Sequence, residues 1–442
     1  MATPSGRAPT LRILIVAEHA SFRFGGEAAL PLHYFRVLRR RGIPTWLVVH
    51  ARTREELQTV FPRDSDRICY VSDTTLHRCL WQIGRLLPSR LATFSTDFAI
   101  HCATQLAQRQ IVRRLIREES ITIVHEPIPV SPREPSMMYG LGVPVIIGPM
   151  NGGMNYPSGL RHERSFAERL LVPLGRRLAT VMNWLIPGKR RAAILLVANE
   201  RTRAALPPGV CHHVYKLVEN GVDLALWNTL PQEELRGATQ ITRFVFLGRL
   251  VDWKAVDILL VAFKRAAMHA PVHLSIIGDG VERTSLERLA HKLDLVDDGG
   301  SVSVGKCHFF GWLKQSECAA ELRACQALVL PSLLECGGAV VLEAMAMGMP
   351  VIATAWGGPV DYLDKACGIL VEPSSREQFI ENLTNALVRI AQNPDERVRM
   401  GNAGRQKVVR EFDWEVKIDR MLGFYHAAIS RFITEPTETA TR

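Results

Sequence analysis

The chain has 442 residues, 47 % hydrophobic and 22 % charged, the composition of a soluble globular protein too long for one ordinary core. No run approaches the ~20 apolar residues that span a bilayer. The nine cysteines are scattered without C-x-x-C or Cys/His metal spacing, so a reduced, cytosolic chain is expected. The formal charge of +10 is uneven: residues 1–215 hold 29 Lys and Arg against 15 Asp and Glu, and the remainder is mildly acidic. A basic first half points to an anionic small molecule, an anionic membrane or both, and no nucleic-acid module accompanies it.

Strands and helices alternate throughout, which predicts parallel sheets. In the first half, strands are expected at Arg12–Ala17, Thr45–Val49, Ile121–Val124, Val143–Ile147 and Ile194–Ala198. Phe24-Gly25-Gly26-Glu27 follows the first of these and opens a helix over Ala28–Arg41; glycines there let backbone approach a ligand. His125-Glu126-Pro127 ends the third strand, and Gly148-Pro149-Met150-Asn151-Gly152-Gly153 follows the fourth. The segment His162–Arg191 is basic and carries apolar residues at near-helical spacing, the pattern of a helix lying in a membrane interface or of an ordinary amphipathic helix. Pro173 and Pro187 are expected to interrupt it. Trp81–Arg90 is a second basic, apolar stretch.

In the second half, strands are expected at Phe244–Leu247, His273–Ile277, Cys307–Phe310, Ala327–Leu330, Val351–Ala353 and Gly368–Val371. The first is followed by Gly248-Arg249-Leu250-Val251-Asp252-Trp253-Lys254, and two fixed cations in one turn can grip a diphosphate. Gly278 and Gly280 directly follow the second strand, and Gly311 the third. Glu335 lies just beyond the fourth strand and Glu343 in the first turns of the next helix, with Gly337-Gly338 between. The free N–H groups of Gly338, Ala339 and Val340 suit an anion, and carboxylates beside a phosphate site suit hydroxyls. Phosphate on amides together with hydroxyls on carboxylates suggests a nucleotide sugar.

The ordered set G-R-L-x-x-x-K, G-x-G, F-x-G (Phe309-Phe310-Gly311) and the two glutamates eight residues apart resembles the retaining glycosyltransferases of family 4, the group 1 glycosyl transferases with the GT-B fold. Asn220-Gly221-Val222-Asp223 and Phe412-Asp413-Trp414-Glu415 match that family's N-G-V-D and F-x-W-E segments, so the resemblance covers nearly the whole chain. Gly337 stands where the family usually has an aromatic residue, and Ala255 where it usually has glycine.

The resemblance implies an α/β, GT-B architecture of two Rossmann-like domains facing each other across a cleft. An acceptor-side domain is expected over residues 1–215 and a nucleotide-sugar domain over 216–412. A final helix over 413–434 is expected to pack back on the first domain. It implies transfer of a sugar, with retention, from a UDP- or GDP-sugar to a lipid-linked or polysaccharide acceptor, with no metal or other cofactor. Donor-binding roles fall on Gly25, Gly26, Arg249, Lys254, Gly278, Gly280, Gly311, Glu335, Gly338, Ala339, Val340 and Glu343. Catalytic roles fall on Arg249, Lys254, Glu335 and His125, the last placed by the anomeric carbon. A cytoplasmic protein peripheral on the inner membrane face is expected. A sugar-nucleotide epimerase, a phosphorylase on a related fold, and an inactive nucleotide- or membrane-binding scaffold are the competing readings.

Overall fold

The computed structural model describes residues 10–23, 26–86, 96, 98–163, 166–228, 241–296 and 302–434. They form two compact units. The first comprises the chain up to Gly153, then Phe166–Glu219, and again from Ile418; the second comprises Met154–Ser165 and Asn220–Lys417.

The first unit is built on a seven-stranded parallel sheet: β1 (Ile13–Val16), β2 (Thr45–His50), β3 (Ile68–Val71), β4 (Ile123–Glu126), β5 (Val145–Met150), β6 (Ile194–Val197) and β7 (Val214–Lys216), in the order 3-2-1-4-5-6-7. Strands such as Ile-Leu-Ile-Val of β1 are apolar at every position because helices cover both faces, so no side chain is left to face water. Leu14, Val16, Trp46, Val48, Val124 and Ile147 join in one buried cluster. The second unit holds a six-stranded parallel sheet: β8 (Thr242–Leu247), β9 (Val272–Ile277), β10 (Cys307–Gly311), β11 (Ala327–Leu330), β12 (Val351–Thr354) and β13 (Gly368–Val371), in the order 10-9-8-11-12-13. Strand order reverses between β1 and β4 in the first sheet and between β8 and β11 in the second. Such reversals leave a crevice at the strands' carboxyl ends, where ligands of open α/β sheets bind.

Every strand expected from the sequence is present, with ends shifted by at most three residues. The edge strands β3 and β7 are not foreseen. They are short and half-buried, so they lack the continuous apolar run that marks the central strands. His125 and Glu126 are the last two residues of β4 and do not lie beyond it. One helix, Phe166–Leu185, runs through Pro173, and Ile186 and Pro187 separate it from Gly188–Arg191; one missing backbone donor does not end a helix whose other bonds remain.

Two of the sequence motifs serve the fold. The N-G-V-D and F-D-W-E segments lie side by side: Val222 N–H donates to Phe412 O at 2.9 Å and Trp414 N–H to Val222 O at 3.3 Å. Asn220 donates to the Tyr362 hydroxyl at 3.0 Å. A Cβ on Gly221 would stand 2.6 Å from Lys417 Cδ and 3.0 Å from the Trp414 ring, so only glycine fits there. Residues 154–165, expected with the first domain, belong to the second unit because Trp356 Nε1 donates to Asn155 O at 2.8 Å and Gly159 packs on the Ser374 carbonyl. The last helix, Trp414–Thr434, joins the first unit from Ile418: Arg41 pairs with Asp419 at 2.6 Å, and Arg431 donates to the Tyr215 hydroxyl at 2.7 Å.

Candidate active site

In the second unit the loops leaving β8 and β11, the two strands that flank the reversal, are tied together. Leu333 N–H donates to Trp253 O at 2.8 Å. The Lys254 ammonium donates to a Glu335 carboxylate oxygen in a short ion pair, with side chains only 16 % and 13 % exposed. The glutamate carbonyl is held as well, by Gly358 N–H at 2.7 Å. The two residues expected to grip phosphate and sugar therefore meet at one point.

Beside them the helix Ala339–Ala346 begins. Gly338 caps it at φ +81°, a left-handed conformation that glycine adopts without strain, and no side chain caps its N–H groups. A Cβ on Gly338 would lie 3.1 Å from Glu335 Cγ, so the glutamate folds over this glycine. Ala339 and Val340 thus present free N–H groups and the positive end of the helix dipole next to the Lys254–Glu335 pair, an anion site of the usual kind. Arg249 is exposed and makes no ion pair among the described residues. Glu343, one turn into the helix, makes no ion pair among the described residues; burial lifts its carboxyl to about 8. A carboxyl group with no partner of its own suits hydroxyl donors.

The glycines after β9 and β10, expected at the donor, also have a part in the fold. Gly278 sits at φ +135° and a Cβ there would stand 1.9 Å from Gly248 O; one on Gly280 would stand 2.2 Å from Leu250 O. Leu250 N–H donates to Asp279 O at 2.9 Å, and Gly278 N–H to Gly311 O at 2.8 Å. Their contacts are with the Arg249 loop: the missing side chains let it lie against the β9 loop, which holds it at the sheet edge. Gly311, at φ +75°, packs against the Arg283 guanidinium. Two further features escape sequence reasoning. Ala255, the residue replacing a glycine, is itself left-handed at φ +52°. Trp312, directly after Gly311, is 59 % exposed at the carboxyl end of β10.

In the first unit, Gly26 is the exposed first residue of the helix Gly26–Arg40, and Gly25 lies outside the described residues. The next residue, Glu27, accepts from Val130 N–H at 3.1 Å. His125 departs from expectation. It is fully buried: one ring nitrogen meets Gly148 O at 2.7 Å and the other the Tyr425 hydroxyl at 2.8 Å. Burial pulls the imidazole down to about 4, so it is neutral. Both nitrogens are committed to the fold, and neither is offered to a substrate. The role that follows from this geometry is positional, locking the loop at Gly148 to the last helix.

Residues 232–407 match the family model described as glycosyl transferases group 1. A GDP-mannose-dependent monoacylated alpha-(1-6)-phosphatidylinositol monomannoside mannosyltransferase of Corynebacterium glutamicum is 29 % identical over 225 residues, covering 48 % of this chain and 55 % of the relative. A D-inositol 3-phosphate glycosyltransferase of Mycobacterium bovis is 31 % identical over 224 residues, covering 50 % and 45 %. The chain spans about half the length of the curated relatives it matches. Among solved structures, Anabaena HepE in complex with UDP and glucose superposes with a TM-score of 0.63 at 16 % identity, covering 94 % of this chain and 99 % of that one. The two parallel sheets are those of the GT-B fold, and the similarity to the glycosyl transferases group 1 model lies within the second unit.

Proposed function

We propose that the protein is a retaining glycosyltransferase that moves a sugar from a UDP- or GDP-sugar to a hydroxyl of a lipid-linked or polysaccharide acceptor, in assembly of cell-envelope or extracellular glycan. The observation that carries this reading is the meeting of Lys254 and Glu335 at the uncapped start of the helix Ala339–Ala346, with Arg249 in the loop that leads to Lys254 and Glu343 one turn into that helix. The diphosphate lies on Lys254, Arg249 and the N–H groups of Ala339 and Val340; the sugar hydroxyls lie on Glu335 and the ribose on Glu343. The relatives' names support the acceptor class, since one acts on a phosphatidylinositol mannoside and another on an inositol phosphate; the HepE complex supports the donor.

In the step itself, the acceptor oxygen bonds to the anomeric carbon as the bond from that carbon to the phosphate oxygen breaks. The electron pair leaves with the nucleoside diphosphate, and the hydroxyl proton passes to the departing phosphate oxygen on the same face. Charge growing on the diphosphate is stabilised by two cations and a helix terminus already in place. That makes a metal ion unnecessary, so activity persists in EDTA. The test is to incubate the protein with labelled UDP- and GDP-sugars, with and without membrane extract, in EDTA. Sugar transferred to extractable lipid or glycan, with the anomeric configuration of the donor, supports the reading. Interconversion of donor sugars without transfer would show an epimerase, and binding without any turnover a scaffold. Activity that only magnesium or manganese restores would overturn the metal-free site.

A further inference from the structure

The first unit has a reversal of strand order of its own, between β1 and β4. A cavity of about 670 Å³ lies there, lined by residues that follow β1, β2 and β4 and by three helices. It belongs wholly to the first unit and shares no residue with the nucleotide-sugar site. Its lining is divided in character. Phe98, Leu178 and Met182 are apolar, and Leu178 is 49 % exposed. Arg133 and Arg176 line the same space. Burial, and after it the nearby charge of Arg176, pull Arg133 below its ordinary value. Among the described residues Arg133 makes no ion pair, although carboxylates are at hand: Glu18 lines the cavity but is bound to His101 in a short ion pair, and Glu134 is the other acid present. Arg52, also in the lining, is paired with Asp73 at 3.0 Å. Two like charges held together with one of them unpaired is a costly arrangement that an anion relieves. The guanidinium fork matches a phosphate in shape, and the apolar residues have no use for one.

We propose that this cavity binds an acceptor carrying both a phosphate group and an apolar chain, the phosphate on Arg133 and Arg176 and the chain along Phe98, Leu178 and Met182. The word acceptor rests on the transferase reading above; the binding chemistry does not. Glu134 then faces the hydroxyls of such a molecule, since a carboxylate accepts from hydroxyls and repels phosphate.

Calorimetry with octyl phosphate, inorganic phosphate and octyl glucoside tests the chemistry. Octyl phosphate binds about tenfold more tightly than either of the others. Arg133→Gln with Arg176→Gln together lower that affinity about tenfold, and Leu178→Gln, at an exposed position, lowers octyl phosphate affinity without changing that of inorganic phosphate. Affinity for free UDP or GDP stays the same in all of these variants, and their melting temperatures show that they fold. Equal binding of octyl phosphate and inorganic phosphate would remove the apolar chain from the proposal. Equal binding of octyl phosphate and octyl glucoside would remove the arginines, and an unchanged double variant would overturn the site. Vesicles of phosphatidylglycerol in phosphatidylcholine identify the source. If they compete with octyl phosphate, the cavity takes a lipid headgroup; if they do not, it takes a soluble phosphate ester. Loss of UDP and GDP binding in the wild-type protein would sink the transferase reading and leave the octyl phosphate result standing, so the two fail separately.

Discussion

Lys254 and Glu335 neutralise each other while the donor is absent, and this sets what their variants do. In the proposed step Lys254 acts on the leaving diphosphate, so Lys254→Ala should lower turnover by ~10²-fold with little change in melting temperature, because the residue ends a short turn. Arg249→Ala behaves alike; full turnover in either variant would remove the cation from the step. Glu335→Gln splits binding from transfer. The ammonium is no longer held by a carboxylate, so free UDP or GDP binds about fivefold more tightly, the worth of ~1 kcal/mol for a partly exposed pair, while sugar transfer falls. Calorimetry beside kinetics reads both, and unchanged nucleotide affinity would show that the pair does not mask the lysine. Glu343→Gln weakens nucleotide binding, and it also changes stability in a pH-dependent way. The Glu343 carboxyl titrates near 8 in the folded protein, above its ordinary value of 4.5. The folded state therefore holds the proton more tightly than the unfolded one, and stability falls as pH rises from ~4.5 through ~8. The neutral glutamine escapes this loss. Wild type and Glu343→Gln should melt together at pH 4, and the variant should melt higher at pH 9, by about 2–4 °C for each kcal/mol of relieved burial. Equal melting temperatures at pH 9 would place the carboxylate in water.

At the level of the element, the chain was most readable where burial is complete. The strands β1 and β11 are continuous apolar runs because both faces are covered, and a run of that kind needs no partner to be recognised. The edge strands β3 and β7 could not be read this way, since Cys69, Tyr70 and Tyr215 are only half-buried and carry no apolar period. The turn after β8 was readable as a pair of cations, but the reason for its shape was not: the glycines of the β9 loop fit against Gly248 and Leu250, a contact between segments 30 residues apart that no local pattern records. His125 shows the same limit from the other side. Its motif was visible, yet the partner that occupies it, Tyr425, lies 300 residues away. Ala255 gives a prediction at this scale. Its left-handed backbone is strained by ~1–2 kcal/mol, but glycine in its place loses a buried methyl worth ~0.8 kcal/mol and gains unfolded-state freedom of ~0.4–1 kcal/mol. The terms nearly cancel, so Ala255→Gly leaves stability within ~1 kcal/mol of wild type by denaturant unfolding. Ala255→Val, β-branched and buried, destabilises by more than that. A large effect of the glycine variant in either direction would mean that the turn is held by something other than its backbone.

For the molecule as a whole, the basic excess and a group of exposed apolar side chains on two helices both fall on the first unit. No helix among the described residues is long and apolar enough to cross a membrane. The helix Phe166–Leu185 exposes Leu178, Val181, Trp184 and Leu185, with Trp184 68 % open to solvent. Arg177, Arg190 and Arg191 are exposed on and after it. The side chains of 161–174, including Phe166, Leu170 and Leu174 of the expected apolar stripe, lie outside those described. Further apolar exposure is on the helix Thr75–Leu86 at Trp81 and Ile83, where Arg85 lies over the Trp81 ring. Tryptophan and basic residues together suit the headgroup region, where each Lys or Arg adds about 1 kcal/mol on an anionic surface at low salt. Not every basic residue of the segment contributes. Lys189 is buried, donating to Ser131 O at 3.2 Å and Pro132 O at 2.7 Å, and burial pulls it down to about 7; Arg176 lines the cavity. The test therefore replaces Arg177, Arg190 and Arg191 by Gln. Wild-type protein should sediment with phosphatidylglycerol vesicles and less with phosphatidylcholine alone. The triple variant should lose ~10²-fold in vesicle affinity, from three charges at ~1 kcal/mol each, and Trp184→Ala should weaken what remains in high salt, where charge is screened. Octyl phosphate binding should be untouched in both, because neither variant alters the cavity. If wild-type protein ignores anionic vesicles at low salt, the basic first domain serves a soluble anionic acceptor, and the exposed tryptophan needs another partner.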